Sequence, residues 1–161
     1  MGSNLEDRYG SLMNSLDMVA QLQDVKVINT SGIYETEPVE FVDQPLFLNM
    51  AAHISTPMTS LNLLRKLKQI ETMIGRKPRE RWREREIDID IIFYGNEIIE
   101  SEELTIPHPR AHLRRFVLQP MNEIAAHYVH PVFSKTVAQL LSECRDESRV
   151  TLISGPTRPA D

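Results

Sequence analysis

Cysteine, long apolar runs and glycine-rich motifs are what this chain of 161 residues has little of or lacks. Its single cysteine, Cys144, leaves no internal disulfide and no cysteine-based zinc site, and it fits a reducing, cytoplasmic setting. No apolar run is long enough for a membrane-spanning helix or a signal peptide. These absences predict a cytoplasmic protein that has no membrane partner.

The missing motifs exclude several classes of enzyme. The sequence has no G-x-x-x-x-G-K-[ST] loop, no G-x-G-x-x-G fingerprint and no G-x-S-x-G elbow. P-loop enzymes, dinucleotide-binding enzymes and serine hydrolases are therefore excluded. Positive charge is not in excess either, since 18 basic residues face 23 acidic ones and the net charge is −5. A surface of that sign has no general attraction for nucleic acid or anionic lipid, and we expect no nucleic-acid partner.

The hydrophobic pattern alternates between helical and extended periods. It predicts an α+β fold in which helices cover one face of a mainly antiparallel sheet. The first predicted helix spans residues 5–22 and is capped by Ser3 or Asn4, and the second is capped by Thr59 or Ser60 and ended by Gly75. Two further helices are predicted over 114–125 and 134–144. The predicted strands span 25–35, 48–54, 87–93 and 150–153, with a loop at 37–45 and a turn at 94–97.

Length and patterning indicate one domain over residues 1–153 and a flexible tail over residues 154–161. A β-α-β-β-α-β core would need a strand ahead of the first helix. The sequence instead begins at Met1-Gly2-Ser3, just before that helix. The first strand is therefore predicted to be missing from this chain, so that either the native chain begins upstream of Met1 or another segment takes the place of the strand.

Asp88 and Asp90 alternate with three isoleucines over residues 87–91. On a strand, residues two apart project from the same face, about 6.6 Å apart along the chain, so the two carboxylates point together. Mg²⁺ would offset their repulsion, because it takes oxygen ligands and is commonly held by one or two carboxylates plus substrate phosphates. An exposed strand face with two ordinary acids is an equally good interpretation of the pair taken alone.

Residues 76–85, directly before this strand, hold six basic and two acidic side chains. A charge run of this kind is more often a solvated surface. Its position beside the aspartates favours triphosphate binding, in which arginines grip phosphate oxygens. Trp82 either stacks on a base or anchors the loop. We expect residues 76–85 to act as a lid over the aspartates.

The sequence gives weaker support to other polar residues as site residues, and to other classes of function. His108 and His112 are four residues apart, but two prolines nearby argue against one helix that presents both to a metal. Glu71 is predicted to be an exposed acid on the polar side of its helix.

A non-catalytic ligand-binding module would not need the aspartate pair. A nucleic-acid-binding module would need aromatic residues along the strand at 48–54, which has none.

Several segments together carry a resemblance to a known family. They are Gly2-Ser3-Asn4-Leu5, Tyr34-Glu35-Thr36-Glu37-Pro38, Phe47-Leu48-Asn49, Gly75-Arg76, Arg81-Trp82, Arg85-x-Ile87-Asp88-Ile89-Asp90-Ile91, Ile106-Pro107-His108-Pro109-Arg110, Arg114-x-Phe116-Val117-Leu118 and Pro120-x-x-Glu123-Ile124-Ala125. Over nearly its whole length the chain resembles the 6-hydroxymethyl-7,8-dihydropterin pyrophosphokinases.

The resemblance implies a fold and a reaction. The fold is a ferredoxin-like β-α-β-β-α-β core with a C-terminal helical extension. The reaction is transfer of pyrophosphate from Mg-ATP to 6-hydroxymethyl-7,8-dihydropterin, which leaves AMP, in tetrahydrofolate biosynthesis. The partners are then these two small molecules, and we expect a monomer or a weak homodimer.

The resemblance also implies site residues. Asp88 and Asp90 would hold two Mg²⁺ ions, and Arg76 and Arg85 would join them as catalytic residues. The positions that match ATP contacts are Glu71, Trp82, Arg85, Ile91, Thr105, His108 and Arg114. The positions that match pterin contacts are Thr36, Val39, Phe47, Asn49 and Phe116, with the two phenylalanines stacked on the ring.

The chain departs from the family pattern in three places. Arg83-Glu84 stands where the family usually has Gly-Pro. The stretch before Trp82 is one residue shorter than in some members, so the second loop cation matches either Lys77 or Arg79. The missing first strand would open the core, which leaves a catalytically weak member of the family as an alternative.

Overall fold

A computed structural model of the chain describes residues 1–5, 7–39, 43–75 and 87–156. Its helices are α1 (Arg8–Ala20), α2 (Ser60–Met73), α3 (Arg115–Ala125) and α4 (Val137–Glu143), with a 3₁₀ turn at Ala111–Leu113. Its strands are β1 (Gly2–Ser3), β2 (Lys26–Thr30), β3 (Ile33–Thr36), β4 (Phe47–Asn49), β5 (Ala52–Ser55), β6 (Ile99–Glu100), β7 (Thr105–Ile106) and β8 (Val150–Ser154). Within the described ranges no helix has the length and apolar character needed to cross a bilayer.

The largest sheet has the strand order β1-β4-β3-β8, and all its pairs are antiparallel. An antiparallel bridge between Gly2 and Asp88 adds one more segment beside β1, through hydrogen bonds of 2.9 and 2.8 Å. Two further antiparallel pairs, β2-β5 and β6-β7, stand apart from this sheet. The predicted α+β class with a mainly antiparallel sheet is confirmed.

A strand does precede α1, where none was predicted. β1 is only two residues long, and it lies between β4 and the segment that carries Asp88. Gly2 is opposite Asn49, and a Cβ added to Gly2 would lie 2.4 Å from the Asn49 side-chain oxygen. The missing side chain therefore lets β1 run between Asn49 and Asp88, two of the predicted site residues.

Two predicted strands are each divided in the structure. The strand predicted over 25–35 becomes β2 and β3, and the strand predicted over 48–54 becomes β4 and β5, with the two halves in different sheets. The break lies where the Ser31 hydroxyl accepts a hydrogen bond from the Ala51 N–H at 2.9 Å. A side chain there replaces part of the backbone ladder, and apolar alternation alone does not reveal that exchange.

Helix ends follow local chemistry. The Asp7 side chain, and neither Ser3 nor Asn4, caps α1 by accepting from the Gly10 N–H at 2.8 Å. Of the two caps predicted for α2, Thr59 and not Ser60 is the one observed, since it accepts from the Asn62 N–H, and Gly75 follows the helix with φ of 104°. The third predicted helix is confirmed within one residue. The fourth begins at Val137, later than predicted, because Thr136 and Gln139 form a capping box.

The strand predicted over 87–93 makes only the Asp88 bridge in the described part of the chain. The turn after it is present, with a hydrogen bond from the Glu97 N–H to the Tyr94 carbonyl. β6 then pairs with β7 and does not fold back on residues 87–93. Strand β8 confirms the prediction for 150–153 and extends it to Ser154.

The core lies between the sheet and the pair α1 and α2. Apolar side chains from both helices, from β3 and β4, and from residues 87–91 form it. These buried side chains include Leu12, Leu16, Val19, Ile33, Leu48, Met50, Leu63, Leu67, Ile70, Ile87, Ile89 and Ile91. The isoleucines between the two aspartates therefore anchor that segment in the core.

Asp146 caps α3 from a distance. Its carboxylate accepts the Arg115 N–H at 2.9 Å, whereas Arg114 at the N-cap offers no capping side chain. Burial alone would raise the pKa of the Asp146 carboxyl, but hydrogen bonds from Ser148 and the Arg115 N–H hold that pKa below its usual range. The fold thus favours the ionised form of Asp146.

We expect Asp146→Asn to lower the free energy of unfolding by about 1 kcal/mol at pH 7. A lowered pKa in the fold means that the carboxylate contributes stability above about pH 4 and loses it as the pH falls further. Urea unfolding at pH 7 and pH 3 measures this, and the difference between variant and wild type should shrink at pH 3. An equal difference at both pH values would contradict the capping role.

Candidate active site

A cavity of about 780 Å³ lies among β3, β4, α3 and the segment that carries Asp88. Cavities of this size suit small-molecule ligands. Ten of the residues predicted to form the site line it: Thr36, Val39, Phe47, Asn49, Asp88, Asp90, Ile91, His108, Arg114 and Phe116. Positions predicted for metal, nucleotide and pterin therefore surround one cavity.

The alternation predicted for the aspartate segment is present. Ile87 and Ile89 are 0% and 3% exposed, whereas Asp88 is partly exposed and Asp90 is exposed. Both aspartates line the cavity, and the isoleucines belong to the core, with Ile89 and Ile91 also reaching the cavity wall. The core thus presents the two carboxylates on one side, as the period of two requires.

Glu71 lies beneath this segment, and the prediction that it is an exposed acid is wrong. It is 2% exposed, and its carboxylate accepts the Ile89 N–H at 2.7 Å and forms an ion pair with Lys68 at 3.0 Å. Burial raises the pKa of the Glu71 carboxyl, while Lys68 and the Ile89 N–H oppose that rise. The hydrogen bond is made to the residue between Asp88 and Asp90, so Glu71 supports their backbone.

We expect Glu71→Leu to lower the free energy of unfolding by about 2–3 kcal/mol, because it leaves the buried Ile89 N–H without this acceptor. Glu71→Gln keeps an oxygen that can accept the bond and should lose less. Denaturant unfolding of both variants measures the difference, with Glu143→Gln, at an exposed position on α4, as the matched control. Equal stability of Glu71→Leu and wild type would contradict this role.

His108 and Arg114 occupy the cavity wall near the aspartates. The His108 backbone N–H donates to the Ile92 carbonyl at 2.9 Å, and the imidazole Nδ1 accepts the Arg110 backbone N–H at 3.2 Å, so the ring is oriented through one of its nitrogens. Burial lowers the pKa of His108, Asp90 and Asp88 raise it, and Arg114 and Arg110 lower it. The imidazole is therefore neutral at pH 7.

Another part of the cavity lining combines an amide, a hydroxyl and aromatic rings. The Asn49 side chain donates to the Thr36 hydroxyl at 2.7 Å, and both residues are buried. Phe47 from β4 and Phe116 from α3 also line the cavity, and the Arg114 guanidinium lies 5.7 Å from the Phe116 ring centre, so Arg114 joins this part of the lining to His108. A flat heterocycle with hydrogen-bonding edges matches such a lining.

The side-chain donor atoms at the cavity show which metal ion the site suits. In residues 1–5, 7–39, 43–75 and 87–156 no group of three or more His, Cys, Asp or Glu side chains could hold a metal. The aspartate pair offers only oxygen donors, beside a cavity with room for phosphates. This set fits Mg²⁺, which takes one or two carboxylates and completes its shell with water and phosphate oxygens.

Some predicted site residues stand apart from the cavity or outside the described chain. Glu71 and Thr105 are not among its lining residues. Arg76, Trp82 and Arg85 lie outside the described residues, as do Lys77, Arg79 and the Arg83-Glu84 departure. The lid predicted for 76–85 falls in the same range and remains a prediction.

Most of the apolar lining from α3 was not predicted from the sequence. Val117, Pro120, Met121 and Ile124 face the cavity together with Phe116. Their spacing of three and four residues is the signal of one helix face, and it could have been recognised as a wall of the site. Tyr128, just after α3, lines the cavity as well, and no local pattern marks it.

Comparison with known proteins assigns the family. The model of the 7,8-dihydro-6-hydroxymethylpterin-pyrophosphokinase family matches residues 1–126. A Haemophilus influenzae protein named 2-amino-4-hydroxy-6-hydroxymethyldihydropteridine pyrophosphokinase is 40% identical over 152 residues, covering 94% of each chain. Its Bacillus subtilis namesake is 44% identical over 124 residues, covering 77% of this chain and 74% of the relative.

Two further relatives differ in length. The Aquifex aeolicus protein of the same name is 34% identical over 143 residues, covering 89% of this chain and 88% of the relative. The folic acid synthesis protein fol1 of Pneumocystis carinii is 38% identical over 146 residues, which are 91% of this chain but 20% of that protein. On the family match and these identities, the chain belongs to the 7,8-dihydro-6-hydroxymethylpterin-pyrophosphokinase family.

Proposed function

We propose that this chain transfers the terminal pyrophosphoryl group of ATP to the hydroxymethyl group of 6-hydroxymethyl-7,8-dihydropterin, with Asp88 and Asp90 as the ligands of two Mg²⁺ ions. Its family makes the chain a pyrophosphokinase of folate biosynthesis. The proposal adds the residues that perform the reaction. One observation carries it: one cavity is lined by the carboxylate pair and also by a buried amide and two phenylalanines.

Different lining residues of the cavity are assigned to the two substrates. The Asn49 amide and the Thr36 hydroxyl would hydrogen-bond the polar edge of the pterin, with Val39 beside them and Phe47 and Phe116 on its faces. His108, Arg114 and Ile91 would contact ATP. Thr105 and Glu71, which stand back from the cavity, would act on the nucleotide site indirectly. Arg76, Trp82 and Arg85 would complete the nucleotide side.

The reaction forms one bond and breaks one. The pterin hydroxymethyl oxygen bonds to the β-phosphorus of ATP and gives up its proton, while the bond from that phosphorus to the oxygen of the α-phosphate breaks and AMP leaves. Asp88 and Asp90 would hold Mg²⁺, which supplies positive charge to the triphosphate oxygens when bound. Arg114 would add charge at the cavity wall, and the phenylalanines would orient the hydroxymethyl group and exclude water.

A ferredoxin-like core is part of the same proposal. The order of segments along the largest sheet, Asp88, β1, β4, β3, and the order β-α-β-β-α-β along the chain support it. A single domain, a cytoplasmic location and a monomeric or weakly dimeric state are proposed with it. Of the tail predicted over 154–161, Ser154 belongs to β8, and residues 157–161 lie outside the described residues.

Product analysis tests the proposed function. The chain is incubated with ATP, Mg²⁺ and 6-hydroxymethyl-7,8-dihydropterin, and the nucleotides are separated by ion-exchange chromatography. We expect AMP and the pterin diphosphate in equal amounts, with no ADP above a control that lacks pterin. ADP as the product would contradict the reaction. If the folded protein formed no AMP but bound a non-hydrolysable ATP analogue in calorimetry, it would be a binding module.

A further inference from the structure

The pterin end of the cavity has two walls that come from distant parts of the chain. One wall is β3 and β4, which carry Thr36, Phe47 and Asn49, and the other is α3, which carries Phe116. A ring held between Phe47 and Phe116 needs those walls at a fixed separation. The contacts that join α3 to β3 therefore bear on substrate binding even where they touch no substrate.

Glu123 makes such contacts. From α3, its carboxylate accepts the Gly32 N–H through both oxygens, at 3.1 and 3.0 Å, and the Tyr34 hydroxyl at 2.8 Å. Gly32 and Tyr34 flank the first residue of β3. Hydrogen bonds to an ionised acceptor are about twice as strong as neutral ones, so this carboxylate ties α3 to β3 firmly.

Tyr34 is well placed to transmit this contact. It is 7% exposed and pairs with Asn49 across the β3-β4 ladder, while Thr36, two residues on, pairs with Phe47. Burial and then Glu123 raise the pKa of the Tyr34 phenol to about 12, against a hydrogen bond from Gln119. The phenol is therefore protonated, and remains a hydrogen-bond donor, at neutral pH.

Helix geometry links Glu123 to Phe116. The two are seven residues apart, which is about two turns of α3, so they lie on nearly the same face. Pro120 lies between them inside the helix and has no N–H to donate to the Phe116 carbonyl. The helical hydrogen-bond pattern is therefore interrupted at the Phe116 carbonyl. Side-chain contacts on the same face of α3, such as those of Glu123, then contribute more to the orientation of Phe116.

We propose that Glu123 and Tyr34 are positioning residues that set the separation between Phe116 and Asn49 in the pterin pocket. Neither is among the predicted pterin-contacting residues, and Glu123 does not line the cavity. The inference rests on the proposed function, because it takes the pocket at Asn49 and Phe116 as the pterin site.

The test measures pterin affinity by calorimetry in the presence of Mg²⁺ and a non-hydrolysable ATP analogue. Tyr34→Phe removes only the hydroxyl and should weaken pterin binding about tenfold, the effect of one lost bond to a charged group. The dissociation constant of the ATP analogue should not change. Tyr9→Phe on α1, whose ring is 48% exposed, is the matched control and should bind pterin as wild type does.

A double-mutant cycle separates positioning from loss of stability. Tyr34→Phe and Phe116→Leu, alone and combined, should be non-additive in pterin affinity, since the Tyr34 hydroxyl is proposed to act by setting the position of the wall that carries Phe116. Glu123→Gln keeps size and some acceptor capacity, and should give a smaller loss of the same kind. If Tyr34→Phe does not fold, Glu123→Gln provides the measurement.

Failure of the inference and failure of the proposed site give different results. If Asn49→Ala weakens pterin binding while Tyr34→Phe and Glu123→Gln only lower the melting temperature, the positioning role is wrong and the site stands. If Asn49→Ala also binds pterin as wild type does, the proposed site itself is wrong. Additive behaviour in the cycle would likewise overturn the positioning role.

Discussion

Asp88→Asn should reduce the turnover of ATP and pterin at least a hundredfold, while the fold is retained. The exchange keeps the size of the side chain and the backbone bridge to Gly2, and it removes one of the two carboxylates that would hold Mg²⁺. Removal of one group that stabilises transition-state charge typically costs 10²–10³ in rate, and loss of a metal ligand acts on the same charge.

Steady-state AMP formation measures the Asp88 effect, and circular dichroism verifies the fold. Asp24→Asn is the matched control, because Asp24 lies in a turn with φ of 63°, a conformation that asparagine also tolerates. The control should retain the wild-type rate. A rate within threefold of wild type for Asp88→Asn would refute its role as a metal ligand.

Asn49→Ala should weaken pterin binding about a hundredfold and leave binding of the ATP analogue unchanged. The Asn49 amide is buried, donates to the Thr36 hydroxyl at 2.7 Å, and is packed against Gly2. A pocket built around hydrogen bonds discriminates strongly, because loss of a partner leaves buried polar groups unpaired on both sides.

Calorimetric titration with the pterin, in the presence of Mg²⁺ and the ATP analogue, measures the Asn49 effect. Asn62→Ala, on the exposed side of α2, is the matched control for the same exchange. Equal loss of pterin and nucleotide affinity in Asn49→Ala would show a general disturbance of the cavity. Unchanged pterin affinity would place the pterin elsewhere.

The sequence predicted best where a residue's neighbours along the chain decide its environment. The cap and end of α2 are local, since Thr59 bonds three residues ahead and Gly75 adopts a conformation that its own backbone allows. The same holds for Asp88 and Asp90, where the alternating isoleucines decide which side chains are buried. Neither prediction required knowledge of the tertiary fold.

The sequence predicted least where distant residues compete. Glu71 looked like an exposed acid on a helix, yet it is buried because the Ile89 N–H and Lys68 supply its partners. The division of the 25–35 strand depends on the Ser31 hydroxyl and Ala51, twenty residues apart. Periodicity contains no information on which distant backbone group a side chain will bind.

Three acidic side chains, Glu71, Asp88 and Asp90, lie in one region, and each negative charge needs a positive partner. Glu71 is satisfied by Lys68 and a backbone N–H, and Asp88 and Asp90 project into the cavity above it. Two neighbouring carboxylates attract divalent cations, and a bound nucleotide contributes the remaining oxygen ligands. The central claim is therefore that this pair holds metal when ATP is present.

Counting bound ions tests that claim most directly. Electron paramagnetic resonance of Mn²⁺, in the presence of a non-hydrolysable ATP analogue, measures how many ions each chain binds and how tightly. We expect two ions per chain for the wild type, and a lower count with weaker analogue binding for the Asp88→Asn, Asp90→Asn double variant. The same ion count and the same affinities in that double variant would contradict the role of Asp88 and Asp90 as metal ligands.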